Sequence, residues 1–224
     1  MKQRIKTDGA ILSLVIIMTA FVFRFYRWYP TSPFIDNLLD FFGMIILLTG
    51  TYVRMGSRGY KKAYSGRGAE LVMDGPYSLV RNPMYLGTFL MGTGFILILW
   101  PWWSLPIFAG LFYLRFQRQI AKEEAHLSKL FGKNYQEYLQ KTSPMFPDIK
   151  KLRKMKINEI FPWKLAWTTK EKYALLVWPA IALVLEIIQE KLLGTHTDLS
   201  ESISVLILAM ITFALGLWWE YSRA

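Results

Sequence analysis

Long apolar blocks separated by clusters of Lys and Arg restrict this chain more than any other feature. A helix needs roughly 20 mostly apolar residues to cross the hydrocarbon core of a bilayer. Blocks near that length run over Ala10–Trp28, Ile35–Val53, Tyr85–Trp100, Ser104–Phe116, Tyr173–Ile188 and Ile203–Trp219. The third and fourth are short and joined by Pro101-Trp102-Trp103, a turn that suits a helical hairpin at the membrane interface. The pattern predicts an all-α, polytopic integral membrane protein with about six transmembrane helices. Composition agrees: of 224 residues, 53% are hydrophobic and 16% aromatic, which excludes disorder. The chain has no Cys, so disulfide frameworks, thiolate metal sites and cysteine nucleophiles are excluded. His126 and His196 are the only histidines, and no metal site is expected.

The 27 Lys and Arg against 16 Asp and Glu give a net charge of +11, and their placement sets an orientation. Arg54, Arg58, Lys61, Lys62, Arg67 and Arg81 lie between the second and third blocks. Arg115, Arg118, Lys122, Lys129 and Lys133 follow the fourth, and Lys150–Lys156 follow them. Short basic loops stay in the cytoplasm. Six spans then place both termini there, in agreement with Lys2, Arg4 and Lys6. Arg24 and Arg27 must snorkel to the opposite headgroups. No small-residue cleavage site follows the first block, which is read as a retained span. Asp36, Asp40 and Glu186 fall near block ends, so charge is expected at boundaries and transport is disfavoured. The absence of Cys and of targeting signals suits a prokaryotic inner (cell) membrane. No nucleic-acid partner is expected, because topology and anionic lipid account for the basic loops.

Polar residues in an informative order occupy Glu70–Pro147. Gly75-Pro76 signals a turn, and Asn82-Pro83 starts a helix with Asn as cap and Pro in the first turn. Free N–H groups would then lie beside Arg81 and Tyr85, a setting for an anionic ligand; a plain helix cap with a snorkelling Arg is the structural alternative. Gly92-Thr93-Gly94 either lets helices approach closely or offers a flat patch for a cofactor edge. A long helix is expected to continue from the fourth block as far as Gln140. On it Arg115, Gln119 and Glu123 recur every fourth residue and form one stripe. Glu123-Glu124 either pair with Lys122 or Arg118, or grip ribose hydroxyls or an ammonium.

The order Gly75-Pro76-Tyr77, Arg81-Asn82-Pro83-Met84-Tyr85-x-Gly87, a short hairpin, then Glu123-Glu124-x-x-Leu127-x-x-x-Phe131-Gly132-x-x-Tyr135-x-x-Tyr138 resembles the isoprenylcysteine carboxyl methyltransferase family. Phospholipid N-methyltransferases share the hairpin, the G-x-G and the Glu-Glu elements. The resemblance implies S-adenosylmethionine bound on the cytoplasmic side and a lipophilic small-molecule or lipid acceptor arriving from the membrane. It places cofactor contacts at Glu70, Leu71, Val72, Tyr77, Asn82, Pro83, Met84, Tyr85 and Glu123, with Gly92, Gly94 and Glu124 as further candidates. Tyr77 and Tyr85 can pack against adenine or near the sulfonium. Arg81 suits the methionine carboxylate and Glu123 suits hydroxyl or ammonium donors.

Two departures from the family pattern bear on chemistry. Asn82 stands where the family usually has a titratable His. Gln119 stands where the carboxyl methyltransferases direct an Arg at the acceptor's carboxylate, and Gln lacks the charge and the fork. Arg115 or Arg118 would have to substitute, or the acceptor is not a carboxylate. Arg81, Gln119, Arg115 and Arg118 are therefore the candidate catalytic residues. The chain divides into an N-terminal two-span hairpin (1–60), a methyltransferase core (61–148), a basic interfacial segment (149–171) and a C-terminal hairpin (172–224). The rival readings are an NADPH-dependent membrane reductase of the sterol type and a non-catalytic lipid-binding protein. Oligomeric state is not legible.

Overall fold

The computed structural model describes residues 32–193 and 199–222, all helices and turns with no strand among them. Ala10–Trp28, Arg24 and Arg27 lie outside the described residues. The first described helix, α1 (Pro33–Tyr64), has Pro in its first turn, Asp36 near its start and Lys61 and Lys62 at its end. Each suits the terminus where it sits. Its 32 residues make a rod about 48 Å long, well beyond a hydrocarbon core of roughly 30 Å. The expected span Ile35–Val53 is therefore only part of the helix, and the turns carrying Arg54, Arg58, Lys61 and Lys62 project past it.

A one-turn helix α2 (Pro76–Leu79) leads into α3 (Pro83–Leu99). The Trp turn 102–104 follows, then α4 (Leu105–Lys141). The expected fourth span and the cytoplasmic helix are thus one element, broken at Gly132, where φ is 52° and ψ −123°. Only glycine enters that region without strain. The basic segment forms three one-turn helices, α5 (Ile149–Leu152), α6 (Ile157–Ile160) and α7 (Trp163–Ala166). A 3-10 turn, Lys170–Tyr173, opens α8 (Ala174–Leu193), and α9 (Leu199–Ser222) completes the described chain.

Two described stretches have the length and apolarity to cross a membrane, Pro33–Tyr64 and Ser200–Trp219; Pro83–Leu99 is apolar but shorter. The helices meet in an apolar core, with Met44 and Leu47 of α1, Met91 and Ile98 of α3, Ala182 of α8 and Leu206 of α9. A second, smaller cluster joins Tyr52 and Met55 of α1 to Ala166 of α7. Helices α1 and α3 touch backbone to backbone. A Cβ on Gly94 would lie 2.6 Å from the Gly43 carbonyl oxygen, and one on Gly50 would lie 2.6 Å from that of Gly87. Small residues permit this approach.

One turn beyond Met44, Ala182 and Leu206 lie Asp40, Glu186 and Ser202, all buried, with Gln189 buried beside them in sequence. Asp40 and Glu186, expected near membrane boundaries, both turn into the helix bundle. At the other end, the hydroxyls of Tyr52 and Tyr221 both donate to the Phe161 carbonyl, tying α1 and α9 to the interfacial segment.

Candidate active site

The seam between α3 and α4 is lined with rings. Phe89 stacks on Phe108 at 5.6 Å, Phe112 packs on Phe89 at 5.2 Å, and Phe116 lies 4.3 Å from Phe112. Tyr85 ends the ladder, 5.2 Å from Phe116. Phe108, Phe112 and Phe116 recur every fourth residue, so one face of α4 carries them all. That spacing was readable in the sequence and marks the surface on which the site is built.

Beyond the ladder the Tyr85 hydroxyl donates to Glu123 Oε1 at 2.7 Å, and Gln119 Nε2 donates to the same oxygen at 2.9 Å. Glu123 is exposed, and Tyr85 and Gln119 are half-buried. Two neutral donors thus hold a solvent-facing carboxylate in place, with its charge uncompensated by either of them. Such a carboxylate accepts from hydroxyls and ammonium groups. Neither Glu123 nor Glu124 pairs with Lys122 or Arg118. Glu124 instead accepts from Arg81 Nε at 2.9 Å.

Arg81 is deeply engaged. Its Nη1 donates to the carbonyls of Leu139, at 3.0 Å, and Thr142, and its backbone N–H to that of Ser143 at 2.8 Å. These are the orphan carbonyls of the α4 C-terminus and the chain leaving it. Asn82 occupies the cap position of α3 but makes no side-chain cap. Its Nδ2 donates to the Pro144 carbonyl at 3.2 Å. The expected Asn cap is corrected accordingly: the side chain turns to the returning chain, and only the Asn82 backbone carbonyl accepts from the first turn, from the Tyr85 and Leu86 N–H groups.

The remaining candidates are spread around this centre. Tyr77 is buried behind it, its hydroxyl donating to the Ser57 carbonyl at 3.4 Å and its carbonyl accepting from Tyr138 at 2.6 Å. Burial raises the pKa of Tyr77, with the Glu123 charge adding to it. Burial likewise raises Tyr138, and it pushes Tyr135 up to about 12 with help from Glu124. All three are neutral hydroxyls at ordinary pH and none serves as a base. Glu70 is exposed in the loop beside Gly66, while Leu71 and Val72 are half-buried. Pro83 is buried in the first turn of α3, and the half-buried Met84 gives its carbonyl to Thr88 at 2.9 Å. Arg115 is half-buried with its guanidinium 5.5 Å from the Phe116 ring centre, and Arg118 is exposed. A Cβ on Gly92 would strike Phe108 at 2.3 Å, so Gly92 faces α4 and Gly94 faces α1.

One cluster was not anticipated. Arg54 Nη1 donates to Thr88 Oγ1 at 2.6 Å, one turn along α3 from Tyr85, and its Nε contacts Glu171 Oε2 at 3.2 Å. Arg58 also binds Glu171. Burial pushes the Glu171 carboxyl up, but hydrogen bonds and charge from Arg54 and Arg58 outweigh that and hold its pKa below the ordinary value. The two partners are more than a hundred residues apart in sequence, and no local spacing links them.

A helical hairpin bearing an aromatic seam, a Tyr-held carboxylate and apolar helices of membrane-crossing length defines a membrane-type α-helical protein. The sequence model of the phospholipid methyltransferase family matches residues 9–134. More than half of the chain, Tyr85, Gln119 and Glu123 included, is covered, and the chain belongs to that family. Among curated proteins it is 35% identical over 77 residues to the protein-S-isoprenylcysteine O-methyltransferase of Schizosaccharomyces pombe, covering 34% of this chain and 33% of that one. It is 31% identical over 121 residues to the enzyme of the same name from Saccharomyces cerevisiae, covering 50% and 51%. A probable protein-S-isoprenylcysteine O-methyltransferase from Oryza sativa subsp. indica is 32% identical over 80 residues, covering 36% and 42%. The matches span a third to about half of those relatives' lengths. No solved structure matches.

Proposed function

We propose that the protein transfers a methyl group from S-adenosylmethionine to a lipophilic acceptor at the cytoplasmic face of a membrane crossed by six helices, in a prokaryotic inner membrane. The observation that carries the reading is the Glu123 carboxylate, exposed and held through one oxygen by Tyr85 and Gln119. Both protein donors converge on Oε1, so the other oxygen is open to a ribose hydroxyl or an ammonium. Tyr85 presents a ring against which an adenine or a sulfonium packs. The residues present therefore fit the cofactor, which supplies an electrophilic methyl when bound.

Within this reading the protein contributes position and dryness. The ladder Phe89–Phe108–Phe112–Phe116 gives the apolar wall along which a lipid tail lies and from which water is excluded. Arg81 is a positioning residue, since its side chain joins Glu124 to the end of α4 and fixes the helix that carries Glu123. The relatives' names point to isoprenylcysteine as acceptor. Gln119 argues for a different one here: its amide donates to Glu123 and offers no charge to a carboxylate. Arg118, exposed one residue away, is the cation nearest in sequence, with Arg115 one turn further. Residues 61–148 form the catalytic core in this scheme, flanked by the two hairpins and the interfacial segment 149–171.

Purified protein offered methyl-labelled S-adenosylmethionine and a lipid extract is expected to yield one labelled lipophilic product, with free prenylcysteine methylated poorly. Thermal protection by NADPH but not by S-adenosylmethionine, with no labelled product, would overturn the proposal.

A further inference from the structure

Lined by none of the residues of the Tyr85–Glu123 corner, an open groove of about 760 Å³ lies between the basic end of α1 and the start of α8. Its chemistry changes along its length. Arg58, Lys62 and Lys170 line one part, and Tyr173, Val177 and Trp178 line the other. The change follows chain order, because α8 begins at Ala174 and carries the lining inward one turn after another. The polar part therefore lies at the basic end of the helices and the apolar part lies along them, which is how a lipid is oriented in a leaflet. Tyr173 and Val177 are also 61% and 48% exposed, so the apolar wall opens sideways to where acyl chains would be.

The polar part carries surplus positive charge. Glu171 is the one acidic residue in the lining, and it is already shared between Arg54 and Arg58. The Lys62 ammonium donates at 3.0 Å to the Thr168 carbonyl, a neutral group that leaves its charge in place. Lys170 adds another cation at the mouth. A volume of this size is typical of small-molecule sites, and basic pockets between membrane helices select acidic headgroups.

We propose that this groove binds an anionic phospholipid, its phosphate among Arg58, Lys62 and Lys170 and an acyl chain against Val177 and Trp178. The lining shares no residue with the methyl-transfer corner, although Arg54 bridges from Glu171 to Thr88 beside it, and its occupancy does not require S-adenosylmethionine. The proposal therefore stands or falls independently of the assigned activity.

Full-length protein in detergent is titrated with phosphatidylglycerol or phosphatidylcholine carrying brominated acyl chains, and tryptophan quenching is recorded. The Trp178 component is isolated by difference from Trp178→Phe. Phosphatidylglycerol is expected to quench that component at a mole fraction about fivefold or more below phosphatidylcholine, as one or more interfacial cations would provide. Lys62→Gln combined with Lys170→Gln should remove the preference, and Lys170→Gln alone should reduce it, with the circular dichroism of each variant unchanged. Equal quenching by the two lipids, or a preference intact in the double variant, would overturn the proposal.

Discussion

Glu123 Oε1 carries two donors, Tyr85 and Gln119, and both contacts are individually replaceable. Glu123→Gln keeps the shape and removes the charge, so S-adenosylmethionine affinity should fall about fivefold or more, the worth of one hydrogen bond of about 1 kcal/mol. Tyr85→Phe keeps its place on the Phe116 ring and loses one donor, so the fall should be smaller, about twofold to fivefold. Calorimetric titration of the two variants checks both values, and unchanged affinity in each would dismiss the corner as the cofactor site. At Glu171 the expected effect is on stability. Its folded-state pKa is lowered, so the stabilisation is complete above the ordinary carboxylate pKa and is lost as pH falls through the lower folded value. Glu171→Gln should therefore lower the melting temperature near pH 7 and flatten its decline in acid. Melting curves from pH 7 to pH 3 measure both effects. The site residues were legible unevenly. Gln119 and Glu123 follow from spacing on one helix, and Tyr85 from its motif. The engagement of Arg81 with carbonyls near residue 140 depends on the break at Gly132, which no periodicity reports.

The helices themselves were largely legible as apolar runs, and so was the end of α4, expected at Gln140; the end of α1, expected at Val53, was not. α1 continues to Tyr64, because amphipathic turns outside the membrane extend a helix without extending its apolar run. Glycine positions divide sharply by surroundings. Gly50→Ala and Gly94→Ala each push a Cβ to within 2.6 Å of a backbone oxygen of the partner helix. Overpacking of this kind costs about 1–3 kcal/mol. Gly110 and Gly216 lie in helices with nothing within 4 Å of an added Cβ, so alanine there should stabilise by about 0.4–1 kcal/mol. Thermal unfolding of the four variants in one detergent should sort them into these two pairs. Mixed ordering would mean that the α1–α3 contact is looser than described.

On the scale of the whole molecule, the basic end of α1 packs against the interfacial helix α7. Lys61 and Lys154 are expected to react with a membrane-impermeant amine reagent only from the cytoplasmic side, and Trp102 to lie near the opposite interface. Labelling of either lysine from outside sealed cells would reverse the orientation. The glycine contacts between α1 and α3 have a mechanical consequence as well. Two notches seven residues apart on each helix, each filled by the other's backbone, act as a keyed joint that removes the sliding degree of freedom. Tyr85 therefore rides with α1 as well as α3, and Arg81, bonded both to Glu124 and to the carbonyls at the end of α4, couples α4 to the same frame.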